Sequence, residues 1–249
     1  MSQAAPPPYS DEFYRTLDET AEASAERIWP ILREILPVES VVDVGCSEGG
    51  WLAAARRCGI FDVLGLDGPW VDELSLKIPV AQFRRVRLDA PFAVGRRFDL
   101  ALSLEVAEHL PAERAADFIA ELTALAPVVL FSAAIPGQGG VHHVNEQWPS
   151  YWAGLFAERG YRAVDVLRPR VWNDKLIAYW YRQNLVLFAS AEALAARPDL
   201  AAAAGEPLPL VHPDLFRAVG RVAQPRIGRW LKMAPQVIRR TLAPKAKAG

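Results

Sequence analysis

The stretch VVDVGCSEGGWL, residues 41–52, decides the fold. Its apolar first half predicts a buried strand, and Gly45, Gly49 and Gly50 lie in the turn that follows. A helical segment comes next and stops at Gly59. The glycines let a ligand approach the backbone closely, and the start of the helix offers N–H groups to that ligand. The stretch therefore predicts a ligand-binding turn between a strand and a helix.

A carboxylate follows the second apolar run. Asp67 stands 22 residues after Gly45, directly behind the predicted strand 61–66. A carboxylate at this spacing can accept hydrogen bonds from both hydroxyls of a ribose. Either element alone is equally typical of an ordinary turn or a solvated aspartate, but the two together indicate a ligand of the adenosine type.

Short apolar runs alternate with segments of helical pattern along the rest of the chain. The runs are 40–44, 61–66, 83–88, 98–104 and 128–133. Strands of this kind predict a doubly wound α/β fold with a mostly parallel, Rossmann-like sheet. Two later β-like stretches, 162–167 and 179–188, have too little sequence between them for a crossover helix. They predict an antiparallel edge pair, which brings the sheet to seven strands.

The regions outside the sheet are expected to have different characters. Residues 1–9 contain three consecutive prolines and are expected to be disordered. Ser10 is expected to cap a helical segment, 10–36, which Pro30 can kink or divide. The main domain is expected to span 10–190, and 191–249 to form a helical, basic C-terminal extension.

The overall composition bounds the class of protein. The 249 residues carry 28 basic and 29 acidic side chains, and 51% of them are hydrophobic. Disordered, collagen-like and disulfide-scaffold classes are excluded. The chain has no apolar stretch of the roughly 18 residues that a membrane span needs and no secretory signal, so a cytoplasmic location is expected. Cys46 and Cys58 lack neighbours at metal-ligand spacing and are expected to be reduced thiols.

The charge is unevenly distributed. Nine basic residues and no acidic one lie in 216–249, which leaves 19 basic and 29 acidic residues in the rest. Apolar residues recur at helical spacing in 227–242, as in a helix on a membrane surface, but Pro235 interrupts them. The favoured interpretation is a C-terminal helix packed on the body, with peripheral membrane or partner contact as the alternative. Nucleic-acid binding is disfavoured because the body is acidic.

At its glycine turn the chain resembles class I methyltransferases that depend on S-adenosylmethionine. The resemblance runs from about Val41 to Phe188 and departs from the family pattern at Ser47, where glycine is more usual. It implies S-adenosyl-L-methionine as the methyl donor. It also implies a set of cofactor-binding residues. They are Asp43, Gly45, Cys46, Glu48 and Gly49 in the first motif, Asp67 and Gly68 at the ribose, Asp89 and Ala90 at the adenine, and Glu105, in FDLALSLEVAEHL (98–110), near the methionine end.

The stretch GGVHHVNEQWPSYW, residues 139–152, follows the fifth strand and is expected at the same edge of the sheet. Methyl transfer to a hydroxyl requires an aligned oxygen and an acceptor for its proton. His143 is the first candidate for this base and His142 the second; the alternative is that they orient the substrate or cap the next helix. No metal site is expected, because adjacent side chains diverge and no third ligand stands at a recognised spacing.

A narrower resemblance concerns the acceptor. The stretches 142–152, 171–184 and 210–216 are similar to methyltransferases that occur with sugar- and polysaccharide-modifying enzymes. Their aromatic side chains can stack on sugars and their amides can bond hydroxyls, although such aromatics are also typical of core packing. The candidates are Trp148, Tyr151, Trp152, Trp172, Tyr179, Trp180 and Tyr181 for stacking, and Asn173, Asp174, Gln183 and Asn184 for hydroxyls. The resemblance implies an O-methyltransferase whose acceptor is a small-molecule hydroxyl, in a glycan or a glycosylated metabolite.

Three other functions remain as alternatives. The first is N-methylation of a small molecule, and the second is a cofactor-binding scaffold without catalysis. The third is a serine hydrolase, because 45–49 also reads as the G-x-S-x-G of a nucleophile elbow with Ser47 as nucleophile. This last alternative is disfavoured, because the motif follows the first strand of the series and Asp67 would have no purpose. The sequence does not indicate whether the protein is a monomer or an oligomer.

Overall fold

The computed structural model describes residues 11–223, and the side chains of 20–220. The disorder expected for 1–9, the cap expected at Ser10 and most of the basic tail lie outside the described residues. No helix in the described part of the chain is long and apolar enough to cross a membrane. The α-helices are α1 (Asp11–Ile35), α2 (Gly50–Arg57), α3 (Ala115–Leu125), α4 (Pro149–Glu158), α5 (Arg168–Val171), α6 (Tyr179–Asn184), α7 (Ala191–Ala195), α8 (Pro198–Ala203) and α9 (Pro213–Ala223).

Seven strands form one mixed sheet, which confirms the predicted fold class. The strands are β1 (Ser40–Val44), β2 (Asp62–Asp67), β3 (Phe83–Arg85), β4 (Leu100–Leu104), β5 (Val128–Ser132), β6 (Tyr161–Val164) and β7 (Val186–Ser190). Their order is β3-β2-β1-β4-β5-β7-β6. The first five pair in parallel, whereas β7 is antiparallel to both β5 and β6.

The strand order positions the site. The chain moves outward from β1 through β2 to β3 and then returns to add β4 on the other side of β1. In open α/β sheets, ligands bind outside the carboxyl ends of the strands where the order reverses in this way. The loops after Val44 and Leu104, at the ends of β1 and β4, therefore flank the expected binding crevice.

Apolar side chains cover both faces of the sheet. One face packs against α1 and α2, where Trp29 is fully buried and donates a hydrogen bond of 2.8 Å from Nε1 to the carbonyl oxygen of Trp51. The other face packs against α3 and α4, where Phe156 and Phe188 stack with ring centroids 3.9 Å apart. Pro30 does not divide the first helix, because α1 continues through it to Ile35.

One predicted strand is partly wrong. The stretch 179–188 was expected to be β-structure throughout, but Tyr179–Asn184 forms α6 and only the following residues belong to β7. Its aromatic residues favour strands, yet tertiary contacts override that preference. In α6, Tyr181 packs edge-on against Trp51 with centroids 5.2 Å apart, and Asn184 donates a hydrogen bond to Gln138.

The chain divides after His212, and the described part of the second unit is α9. In α9, Arg217 Nη1 lies 2.8 Å from Asp214 Oδ1, one helical turn earlier.

Candidate active site

The turn after β1 has the left-handed backbone that its glycines predict. Gly45 and Gly49 have φ values of 88° and 84°. A Cβ added to Gly45 would lie 2.3 Å from Val106 Cγ2, so the turn packs directly against the loop that follows β4. Ser47, at the position where the family pattern favours glycine, has a φ of 49°. The backbone thus retains the conformation that glycine would adopt, with a serine in its place.

Asp67 is connected to this turn by hydrogen bonds. Its carboxylate is buried at the end of β2, where Oδ2 accepts the N–H of Ser47 at 2.7 Å and Oδ1 accepts the N–H of Gly68 at 2.6 Å. A carboxylate offers about four acceptor positions, so these contacts are compatible with further donors such as ribose hydroxyls. The structure therefore brings together the two sequence elements that indicated an adenosine-type ligand.

A second carboxyl lies beneath the turn. Asp43 is almost fully buried in β1, opposite Gly65 of β2. Burial, followed by the negative charge of Asp67, raises the pKa of Asp43 to about 8. At neutral pH the buried Asp43 therefore holds its proton, as a neutral carboxyl beside Asp67.

The remaining residues of the first motif contribute mainly backbone and packing. Cys46 is buried with its sulfur close to Gly65, where an added Cβ would lie only 2.7 Å away. The carbonyl of Glu48 accepts the N–H of Lys77 at 2.8 Å, and the carbonyl of Cys46 accepts the N–H of Gly49 at the same distance.

The residues expected at the adenine lie in the loop after β3. Asp89 is half exposed and forms an ion pair with Arg87 at 2.7 Å, and this contact lowers the pKa of Asp89. The carbonyl of Ala90 accepts a hydrogen bond of 3.1 Å from Arg114. The sequence analysis did not identify Trp70, whose exposed ring lies against Gly68 beside Asp67. The sequence pattern that could have identified Trp70 is its position three residues after Asp67.

Glu105, at the end of β4, is the centre of a buried polar network. It has a φ of 56°, and its carboxylate accepts hydrogen bonds from Asn184 Nδ2 at 3.0 Å and from Gln138 Nε2 at 2.9 Å. Burial raises the pKa of Glu105, while hydrogen bonds from Asn184, Ser132 and Gln138 act in the opposite direction. The pKa of Glu105 stays above its usual value, because burial outweighs the three neutral donors.

The network continues to residues predicted to bind hydroxyls. Gln183 donates to Gln138 Oε1 at 3.1 Å, and its own Oε1 accepts the backbone N–H of His212 at 2.8 Å. The ring of His212 lies 4.6 Å from that of Trp172, measured between centroids. His212 therefore meets Trp172 and Gln183 of the stretch 171–184, from which Asn184 reaches Glu105.

The predicted sugar-stacking aromatics separate into two groups. Trp152 and Tyr181 are buried in the core, where Trp152 packs on Phe131 with centroids 5.3 Å apart. Trp148 is 39% exposed at the start of α4, and the others are half-buried. The two buried rings serve packing, which leaves the second group as candidates for contact with an acceptor.

His143 is held in position by a carboxylate. Its Nδ1 atom lies 2.9 Å from Glu146 Oε1, and Glu146 also accepts the N–H groups of Gly137 and Gly139, each at 2.8 Å. Burial alone raises the pKa of Glu146, but these hydrogen bonds lower it below its usual value. An ionised Glu146 keeps the proton of His143 on Nδ1 and leaves Nε2 as the acceptor atom. His142 is exposed, with a φ of 57°.

Glu108 and His109 lie next to His143. The backbone oxygen of Glu108 accepts the N–H groups of Val144 at 2.9 Å and Asn145 at 3.0 Å, and the rings of His109 and His143 meet edge-on, 4.8 Å apart. Burial and then the charge of Glu105 hold the pKa of Glu108 well above its usual range. No metal site was expected from the sequence. The structure nevertheless groups one ligand atom each from Glu108, His109 and His143 within 4.8 Å of one another.

A family model described as a methyltransferase domain matches residues 12–166, more than half of the chain. The match covers the glycine turn, Asp67 and the histidine pair. A comparison with curated proteins finds no match.

Solved structures share the fold at low sequence identity. Magnesium protoporphyrin IX methyltransferase from Synechocystis PCC 6803, with bound SAH, is 16% identical; the match covers 70% of this chain and 84% of that one, with a TM-score of 0.52. The sugar N-methyltransferase KedS8 from Streptoalloteichus sp ATCC 53650 is 17% identical, with coverages of 76% and 98% and a TM-score of 0.52. The methyltransferase domain of bacterial CtHen1-C is 16% identical, with coverages of 69% and 98% and a TM-score of 0.50.

Proposed function

Since this chain belongs to the methyltransferase family, as a class I enzyme that uses S-adenosylmethionine, we propose that it methylates the hydroxyl of a small molecule, a sugar in a glycan or a glycosylated metabolite. The oxygen acceptor is inferred from one observation above all. The His143 ring is held by Glu146 at 2.9 Å, which presents Nε2 as a base. A base is needed when the nucleophile must lose a proton, as a hydroxyl must.

The residues of the crevice fit the cofactor. The left-handed turn at Gly45, Ser47 and Gly49 exposes backbone at the switch point of the sheet, and Asp67 presents a carboxylate directly beside it. S-adenosylmethionine, when bound, supplies an electrophilic methyl group. Asp67 would hold the ribose, with Gly68 and Trp70 flanking it, while Asp89 and Ala90 would border the adenine. Asp43, Cys46 and Glu48 would support the turn, and Glu105 would face the methionine end.

The chain's own residues provide for the acceptor oxygen. His143 takes the proton at Nε2, and the exposed His142 is the second candidate for this task. Gln183 and Asn184 fix the side of the crevice by donating hydrogen bonds to Gln138 and Glu105, respectively. Trp148 and Trp172 provide partly exposed ring surface on which a sugar face can stack.

The sugar assignment is supported by the partly exposed tryptophan rings and by one similar structure. KedS8 is described as a sugar N-methyltransferase and covers 76% of this chain. That likeness also makes N-methylation of a small molecule the second candidate, because an amino sugar would occupy the same kind of crevice.

The test is methyl transfer from labelled S-adenosylmethionine to a panel of nucleotide sugars, free glycans and amino sugars, with products identified by mass spectrometry and NMR. An O-methyl sugar supports the proposal. A product methylated only on nitrogen would replace it with the second candidate. If the enzyme binds S-adenosylmethionine but methylates none of the sugars and does methylate another class of small molecule, the sugar assignment is wrong.

A further inference from the structure

We propose that Glu108, His109 and His143 bind a divalent cation at the acceptor side of the crevice. One candidate ligand atom from each residue lies within 4.8 Å of the other two. Three atoms at such separations can approach a common centre with small side-chain movements. The site goes beyond the proposed function, and only its catalytic role rests on that function.

Glu108 is the observation that points to a ligand. Its side chain is fully buried, and no group among the described residues meets full hydrogen-bond geometry with either carboxylate oxygen; only the backbone N–H groups of Glu108 and Ala134 lie close enough to lower its pKa. Burying an unsatisfied carboxylate is costly, and buried charges are normally paired or coordinate a metal. A neutral Glu108 would not remove the cost, because its O–H would then need an acceptor. A bound cation would satisfy the group.

Both histidines are oriented as metal ligands usually are. A ligating histidine typically donates its other ring N–H to a carboxylate or a backbone carbonyl, which fixes the ring and the tautomer. Here Glu146 holds Nδ1 of His143 at 2.9 Å. The ring of His109 is hydrogen-bonded to the backbone of His142, a contact that favours protonation and opposes the lowering of the His109 pKa by burial. Both rings are therefore held in place beside Glu108, and each keeps a second nitrogen that can bind a cation.

The ligand set indicates the class of cation. Two imidazoles and one carboxylate suit the borderline ion Zn²⁺ best. Mn²⁺ is harder and favours oxygen ligands, and Ca²⁺ prefers an all-oxygen shell. Three protein ligands leave coordination positions open, and His109 is exposed, so solvent or an acceptor hydroxyl can reach the ion.

A cation here would change one assignment in the proposed function. The Nε2 atom of His143 can hold a proton or a cation, but not both. With the ion bound, a coordinated hydroxyl would be acidified and would release its proton to solvent, so that His143 acts as a ligand. The residues of the glycine turn and Asp67 keep their roles in either case.

The experiment is calorimetric titration of the chelator-treated full chain with Mn²⁺ and with Zn²⁺, alongside Glu108→Gln, His109→Ala and the control His142→Ala. One equivalent of cation is expected for the wild type and the control, with affinity at least about tenfold weaker in the other two variants. His109 is exposed, so its variant tests the site even if Glu108→Gln fails to fold.

Titration of the same samples with S-adenosylmethionine separates this inference from the proposed function. A wild-type chain that binds S-adenosylmethionine but neither cation overturns the cation site alone. Equal cation affinity in the wild type and in His109→Ala overturns it as well. A chain that binds the cation as expected but not S-adenosylmethionine keeps the site and overturns the cofactor assignment.

Discussion

The backbone N–H of Ser47 donates a hydrogen bond of 2.7 Å to Asp67 Oδ2, which joins the turn after β1 to the carboxylate at the end of β2. The bond sets the position of the carboxylate relative to the turn before any ligand arrives. If Asp67 binds the ribose as proposed, ribose binding and the shape of the turn are coupled, and a change at Ser47 or at Asp67 should alter both.

Replacing Asp67 by alanine should remove the ribose contact. Loss of hydrogen bonds to a charged group costs about 3 kcal/mol, so we expect S-adenosylmethionine and S-adenosylhomocysteine to bind roughly a hundredfold more weakly. Isothermal titration measures this directly. Asp62→Ala, at the exposed start of the same strand, is the matched control and should bind like the wild type. Equal affinity in the Asp67 variant would refute the ribose assignment.

Ser47→Gly should stabilise the chain. A left-handed conformation costs a residue with a Cβ about 1 kcal/mol, and glycine adopts it freely, although glycine also loses more entropy on folding. We expect a net rise of a few tenths of a kcal/mol in the free energy of unfolding, measured by urea denaturation. Ser47→Ala, which loses the hydroxyl but keeps the Cβ, should show no gain. Both variants should keep methyl transfer; loss of activity in both would point to a chemical role for the hydroxyl.

Asp43 should make stability depend on pH. Between about 3.9, the pKa of an unfolded aspartate, and about 8, the folded chain holds the Asp43 proton and the unfolded chain does not. The stabilisation that Asp43 contributes to the free energy of unfolding is therefore complete below pH 4. It is lost as the pH rises to 8, by at most about 1.4 kcal/mol per pH unit. Asp43→Asn should flatten this part of the stability curve, whereas the exposed Asp62→Asn should not. Parallel curves for Asp43→Asn and the wild type would contradict the shift.

His143→Ala should lower kcat by a factor of about 10²–10⁴, the usual contribution of a general base, with little change in affinity for S-adenosylmethionine. Glu146→Gln should cause a smaller loss, because the amide positions the ring without fixing its tautomer. Steady-state kinetics on an identified acceptor measures both. If His142→Ala, His143→Ala and the double variant all retained full turnover, base catalysis by a histidine would be refuted, and alignment of the substrate alone would drive the reaction.

Gly140→Ala should displace the ring of His143, although Gly140 itself has no proposed role in catalysis. A Cβ at this position would lie 2.1 Å from His143 Nε2, so the ring must leave its present position. We expect a fall in kcat with the affinity for S-adenosylmethionine unchanged. Gly154→Ala in α4, where an added Cβ meets no atom within 4 Å, should behave as the wild type. Equal kcat in both variants would show that the ring has room to shift without consequence.

The part of the site encoded in one continuous stretch could be predicted from sequence. The glycine turn and the strand before it follow from 41–52, because a strand, its turn and its helix are local events. The grouping of Glu108 and His109 with His143 could not be found this way. Glu108 and His109 precede His143 by 35 and 34 positions. They meet it only because β4 and β5 are neighbours and the backbone oxygen of Glu108 accepts the N–H of Val144.

The error at 179–188 has a related cause. Aromatic side chains in that stretch favour a strand. The local pattern does not show that Tyr181 packs against Trp51 or that Asn184 donates a hydrogen bond to Gln138. The antiparallel pairing of β6 with β7 could be predicted only because the sequence between the two β-like stretches is too short for a crossover helix.

The reversed direction of β7 has a consequence for how the protein can diversify. An antiparallel strand begins at the edge where its parallel neighbours end, so α6 brings Gln183 and Asn184 to the crevice just before β7 starts. Under the proposed function, the groups for the donor come from the first part of the chain and those for the acceptor from a later, separate part. Exchange of the segment between β5 and β7 would then be a modular route to new substrates, because the glycine turn and Asp67 lie outside that segment.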